Sequence, residues 1–171
     1  MNSPFHDEFV EIFNANFRRV YRYLDRLSGE PELAADLAQD TFVRLYRRGC
    51  APDTPEAWLI TVATNLLRNA QSQRSRRAQL LTTAHGAAVL SDPPPSPMQE
   101  LDAAESRRSV RRAIDMLPER ERAMLLLRAE GYSYRDIATA LQINEGSVGT
   151  LLARAKRAFR DRYDGGADAP R

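Results

Sequence analysis

Thr61, Asn65, Arg68 and Ser72 recur at steps of three and four and run into Arg74, Arg76 and Arg77. Hydrogen-bonding side chains that give way to bare positive charge suit a nucleic-acid strand, with bases met by Asn and Thr and phosphates held by Arg. The same run would also serve as an ordinary solvated face. A second group starts at Ser133, which has Asp136 three residues on, as in a capping box, ahead of the apolar stripe Ile137, Ala138 and Leu141. That helix should stop near Gln142. Asn144 can then cap a second helix in which Val148, Leu151, Leu152 and Ala155 recur at helical spacing, while Thr150, Ala153, Arg154 and Arg157 fall toward another face. Small Ala138 sits where two crossing helices must approach closely. Such a helix-turn-helix holds the start of its second helix in a major groove, where side chains read base edges and Arg or Lys hold phosphates. A plain pair of packed core helices would show the same spacing.

Other chemistry finds no support. There is no Ser/His/Asp set, no Gly-rich phosphate loop and no His-rich metal motif, so neither catalysis nor a metal or other cofactor is expected. Cys50 is the single cysteine, which rules out an intramolecular disulfide, and its place beside Gly49 in a loop gives it no evident role. No apolar run approaches a membrane span of about 20 residues, and the start MNSPFHDEF lacks the pattern of a signal peptide. A cytoplasmic protein with no membrane insertion of its own is expected. The formal net charge of +2 hides an uneven distribution, because residues 68–79 carry four Arg and no acid.

The elements that position these residues are helical throughout. Phe5, Phe9, Ile12, Phe13, Phe17, Val20, Tyr21, Leu24 and Leu27 predict an amphipathic helix over 5–27, with the phenylalanine stripe assigned to the core. A second helix is expected from Glu32 to Arg48. It buries Leu33, Leu37, Ala38, Thr41 and Leu45, and it presents Asp36, Gln39, Asp40, Val43, Arg44 and Arg47 on the other side. Val43 among those charges is an apolar residue that a partner surface would cover. Thr54-Pro55 starts a third helix, reaching about Arg77, with Trp58 on its packed side. Residues 80–100 lose all periodicity and hold Pro93-Pro94-Pro95-Ser96-Pro97, the composition of a linker, which leaves the two halves free not to touch. Further helices are expected over 101–116 and from Pro118 to Gly131, ahead of the helix-turn-helix. The expected class is therefore all-α: two small helical domains, residues 1–79 and 101–163, joined by a Pro-rich flexible linker at 80–100, with a disordered tail at 164–171.

Together these motifs resemble the extracytoplasmic-function (ECF) sigma factors, the compact two-domain class of bacterial RNA polymerase specificity subunits. The resemblance covers residues 5–163: AADLAQDTFVRLYRR and PEAWLITVATNLLRNAQSQRSRR are similar to region 2, and DMLPERERAMLLLRAEGYSYRDIATALQINEGSVGTLLARAKRAFR to region 4. It implies that Asp36, Gln39, Asp40, Val43, Arg44 and Arg47 dock on the RNA polymerase core. It implies that Asp53, Thr54, Thr61, Asn65, Arg68, Arg74, Arg76 and Arg77 take the minus-10 element, with flipped bases of one strand captured in the protein. Minus-35 contacts would come from Tyr134, Arg135, Glu145, Gly146, Ser147, Gly149, Thr150, Ala153, Arg154 and Arg157. Gly149 and Leu151 stand where relatives often carry basic residues, so weaker or differently specified upstream contacts are expected. Promoter DNA, the polymerase core and an anti-sigma factor are the partners implied, and the linker would thread toward the polymerase active-site cleft. The alternative is a stand-alone helix-turn-helix regulator, with residues 1–79 as a sensing or dimerisation module.

Overall fold

The computed structural model describes residues 4–82 and 98–167, and these residues form seven helices and no strand. The first half contains α1 (Pro4–Ser28), α2 (Pro31–Arg48) and α3 (Pro55–Thr82). The second contains α4 (Met98–Asp115), α5 (Glu119–Ala129), α6 (Tyr134–Leu141) and α7 (Glu145–Ala167). Helices α3 and α7 run past their expected ends at Arg77 and residue 163. Of the expected linker, residues 83–97 lie outside the described residues, as does the tail from 168 onward.

Local chemistry accounts for most boundaries. Proline opens α2 and α3, where its missing N–H costs nothing and its fixed φ suits the first helical turn. Gly49 ends α2 in the left-handed conformation (φ 74°), its N–H bonded to the Tyr46 carbonyl. The Ser133 side chain accepts from the Asp136 N–H while the Asp136 carboxylate accepts from the Ser133 N–H, the reciprocal cap expected from the sequence.

Packing settles one point that the linker left open and departs from expectation at another. The halves touch: α3 packs along α6 and α1 along α5. Val20, Leu24, Leu59 and Leu67 of the first half belong to one continuous buried cluster with Met124, Leu127, Ile137, Leu141 and Val148 of the second. The departure concerns the phenylalanine stripe. Phe9, Phe13 and Phe17 are only half-buried, and with Phe42 and Tyr46 they line an apolar groove of about 520 Å³ between α1 and α2. They stack along α1, with Phe13 and Phe17 ring centroids 4.8 Å apart and Phe13 edge-on to Phe42 at 5.0 Å. Two helices cover one side of that ladder, and among the described residues no third helix closes the other.

Candidate nucleic-acid interface

Three surfaces carry the residues singled out from the sequence. On α2, Asp36, Gln39, Asp40, Arg44 and Arg47 are exposed along one face and Val43 is half-buried among them. Gln39, Val43 and Arg47 also form one wall of the apolar groove, so the charged face and the phenylalanine ladder make a single continuous surface. Sequence reasoning missed that continuity, because a stripe of four phenylalanines reads as core whether or not a neighbour covers it.

On α3, Asn65, Arg68, Arg74, Arg76 and Arg77 are exposed, as are Asp53 and Thr54 in the loop before the helix. Thr61 is half-buried, and its hydroxyl donates to the Ala57 carbonyl at 2.6 Å, leaving the oxygen able to accept from a ligand but not to donate. Two of the guanidinium groups already have partners. Arg68 pairs with Glu119 at the start of α5 (3.0 Å), and Arg74 pairs with Glu30, a contact that raises the Arg74 pKa through the hydrogen bond and the carboxylate charge. Trp58 is half-buried against the core, with the Arg48 guanidinium 5.9 Å from its ring centroid. Beneath this face, Tyr23 is wholly buried and its hydroxyl meets Thr64 Oγ1 at 3.0 Å. Burial pushes the Tyr23 phenol up to about 12, the Thr64 hydrogen bond opposing it.

The helix-turn-helix is α6 and α7. Its turn is set by Gln142, the one described non-glycine residue with positive φ (54°), whose N–H bonds back to the last carbonyls of α6. Asn144 Oδ1 accepts from the Gly146 N–H at 2.8 Å and the Asn144 carbonyl from the Ser147 N–H at 3.0 Å, so Asn144 caps the first turn of α7. Ile137, Ala138, Leu141, Val148, Leu152 and Ala155 are buried, and Tyr134, Arg135, Glu145, Gly146, Ser147, Thr150, Ala153, Arg154 and Arg157 are exposed. Tyr134, Gly149, Ala153 and Arg157 share a groove of about 460 Å³ with Lys156 and Arg160. Arg160 was not among the residues picked from the sequence, although it lies three residues beyond Arg157 on the same helical face. Gly149 lies beside Tyr134, where a Cβ would make only an ordinary van der Waals contact with the ring at 3.6 Å. Arg154 lies 3.5 Å from Glu121 and is two-thirds exposed, a weak pair that leaves it available to DNA. No group of described residues could hold a metal ion, and no described helix is long and apolar enough to cross a membrane.

A mostly exposed charged face beside an apolar groove, a polar helix running into arginines, and a helix-turn-helix are the parts of a transcription initiation subunit. Residues 12–77 match the family described as Sigma-70 region 2, and residues 107–159 match Sigma-70, region 4. The chain is 33% identical over 155 residues to the ECF RNA polymerase sigma factor SigL of Mycobacterium tuberculosis, covering 87% of this chain and 85% of SigL. It is also 33% identical over 155 residues to the ECF RNA polymerase sigma factor SigE of Mycolicibacterium smegmatis, covering 88% of this chain and 60% of that longer relative. The sigma factor RpoE of Bartonella quintana, solved in complex with the anti-sigma factor NepR, shares the fold with a TM-score of 0.66 at 22% identity, over 94% of this chain and 96% of that one. The chain therefore belongs to the ECF family of RNA polymerase sigma factors. Its role is that of the family: it is a DNA-binding factor that directs core polymerase to promoters and promotes DNA melting.

Proposed function

We propose that the three surfaces divide initiation between them. The α2 face, extended by the Phe9-Phe13-Phe17 groove, holds the polymerase core. The α3 face, with the loop bearing Asp53 and Thr54, captures unpaired bases of the minus-10 element, and the groove of α7 reads the minus-35 element as duplex. The observation that carries this division is that each surface lies on a different element and differs in chemistry: apolar ringed by mixed charge, hydrogen-bonding leading to arginine, and basic at a helix-turn-helix.

Melting follows from binding. Unstacking a base costs a few kcal/mol, and a protein pocket that stacks and hydrogen-bonds the extruded base offsets that cost only for the open strand. The protein thus shifts the duplex toward the melted state without performing a reaction, and the nucleotide chemistry belongs to the polymerase core in the cytoplasm. Residues 1–79 and 101–163 act as the two promoter-reading domains and residues 80–100 as their tether. An anti-sigma factor, such as the one bound to the Bartonella RpoE, keeps the protein silent until it is needed.

Two double variants test the division. Asn65→Ala with Arg68→Ala lowers promoter opening by roughly tenfold or more while co-elution with core polymerase is retained. Asp36→Arg with Asp40→Arg abolishes co-elution. The opposite pattern would overturn the assignment of faces.

A further inference from the structure

Glu130 is placed against local preference. It caps the C-terminus of α5, the negative end of the helix dipole, where a carboxylate is disfavoured. Its side chain is nevertheless 2% exposed, a costly position for an anion unless it is paired and fully hydrogen-bonded. Every compensating charge comes from the other half of the chain. Arg19, Arg22 and Arg26 lie on one face of α1, at steps of three and four. Arg22 Nε and Nη2 meet Glu130 Oε2 at 2.9 and 2.7 Å, and Arg26 Nη1 meets Oε1 at 2.7 Å. Arg19 Nε donates to the Glu130 carbonyl at 3.1 Å, and its guanidinium lies 4.1 Å above the Tyr132 ring. The turn that presents this carboxylate and this ring is closed by Gly131 at φ 84°, with the Tyr132 N–H on the Leu127 carbonyl. A second bridge, Arg111 Nη1 to the Arg26 carbonyl at 2.8 Å, ties α4 to the same end of α1.

In this closed form Glu119 of the second half occupies Arg68, in the middle of the α3 face assigned above to the minus-10 strand. The pair is exposed and weak, so a phosphate that takes that guanidinium must displace Glu119, which leaves with the second half when the halves part. We propose that Glu130, gripped by Arg19, Arg22 and Arg26, is a latch that holds the two halves closed and keeps the minus-10 face engaged until the polymerase core separates them. The inference that closure blocks promoter binding rests on the assignment of the α3 face, whereas the latch itself does not.

The test is made on the free full-length chain, by energy transfer between a dye on Cys50, which is exposed in the first half, and one on Asp164→Cys, exposed near the end of α7. The otherwise unchanged protein populates a single high-transfer state. Glu130→Arg shifts the closed-to-open ratio toward open by roughly ten- to a hundredfold, the scale of losing charge-assisted hydrogen bonds to a buried group. Glu130→Gln, which keeps the shape and removes the charge, moves the ratio in the same direction by less. Combining Glu130→Arg with Arg22→Glu and Arg26→Glu restores high transfer, which a general loss of packing would not do. Circular dichroism identifies a variant that unfolds. If Glu130→Arg loses helicity, the Glu130→Gln ratio decides, and an unchanged ratio with native helicity overturns the latch. A low-transfer state in the parent protein also overturns it. Energy transfer requires no polymerase, so failure of the latch and failure of the face assignment are read separately.

Discussion

The two surfaces proposed above to meet DNA are finished to different degrees. The groove of α7 is complete: Lys156, Arg157 and Arg160 make no ion pair among the described residues, and the helix that carries them packs on α6, itself fixed by a reciprocal cap and a left-handed turn. On α3, Arg68 and Arg74 are spent on Glu119 and Glu30, and the Thr61 hydroxyl proton on its own backbone. A surface that reads duplex meets a preformed ligand and gains from being rigid. One that takes a single strand meets a ligand that exists only after melting, and in the closed chain two of its arginines are paired within the protein. On the proposed division of surfaces, this difference makes upstream recognition available early and leaves strand capture to follow displacement of those pairs.

The strongest way to break this contrast is to destroy the support of the finished surface. Leu141 is 2% exposed in the continuous core, and Leu141→Ala costs about 2–5 kcal/mol of stability, read by denaturant unfolding. Because one cluster spans both halves, the unfolding midpoint of the first half falls with it. Two independent transitions, with the first unmoved, would show that the halves do not share a core.

A smaller change sharpens the contrast. Arg154→Ala weakens binding of the polymerase complex to minus-35 duplex by about 1–3 kcal/mol if Arg154 reads a base, and relaxes preference at that position. If Arg154 holds only a phosphate, the loss is uniform across sequences and the salt dependence of binding falls by about one counterion. A titration over several duplexes and salt concentrations separates the two.

The smallest effect lies under α3. Tyr23 titrates near 10.0 in the unfolded chain and near 12 in the folded one, so its neutral burial contributes stability that is fully present below pH 10 and lost as pH rises through 12. Tyr23→Phe removes that dependence, on the order of 1 kcal/mol by pH 11, visible as a flatter plot of urea midpoint against pH between 10 and 11. An unchanged slope would mean that the phenol is hydrated.

What the sequence made legible was local. The cap at Ser133, the stop at Gln142, the proline starts and the exposed faces of α2 and α7 follow from spacings of a few residues, the range over which helix periodicity and capping act. What it left hidden was long-range. Glu130 and Arg22 are 108 positions apart and look like solvated charges until the fold joins them. The open side of the phenylalanine ladder was equally invisible, because amphipathicity tells which face is apolar and not whether a neighbour will cover it. Arg160 was the exception, a local signal passed over where the periodicity of α7 continued one more turn.

The most direct test of the central claim is run-off transcription with bacterial core polymerase, the purified protein and the DNA upstream of its own gene. The account predicts a discrete transcript that requires both core and this chain and that is lost in the Asn65→Ala, Arg68→Ala variant although that variant still co-elutes with core. A transcript of undiminished strength from that variant would contradict it, as would sequence-specific DNA binding by the chain alone with no affinity for core.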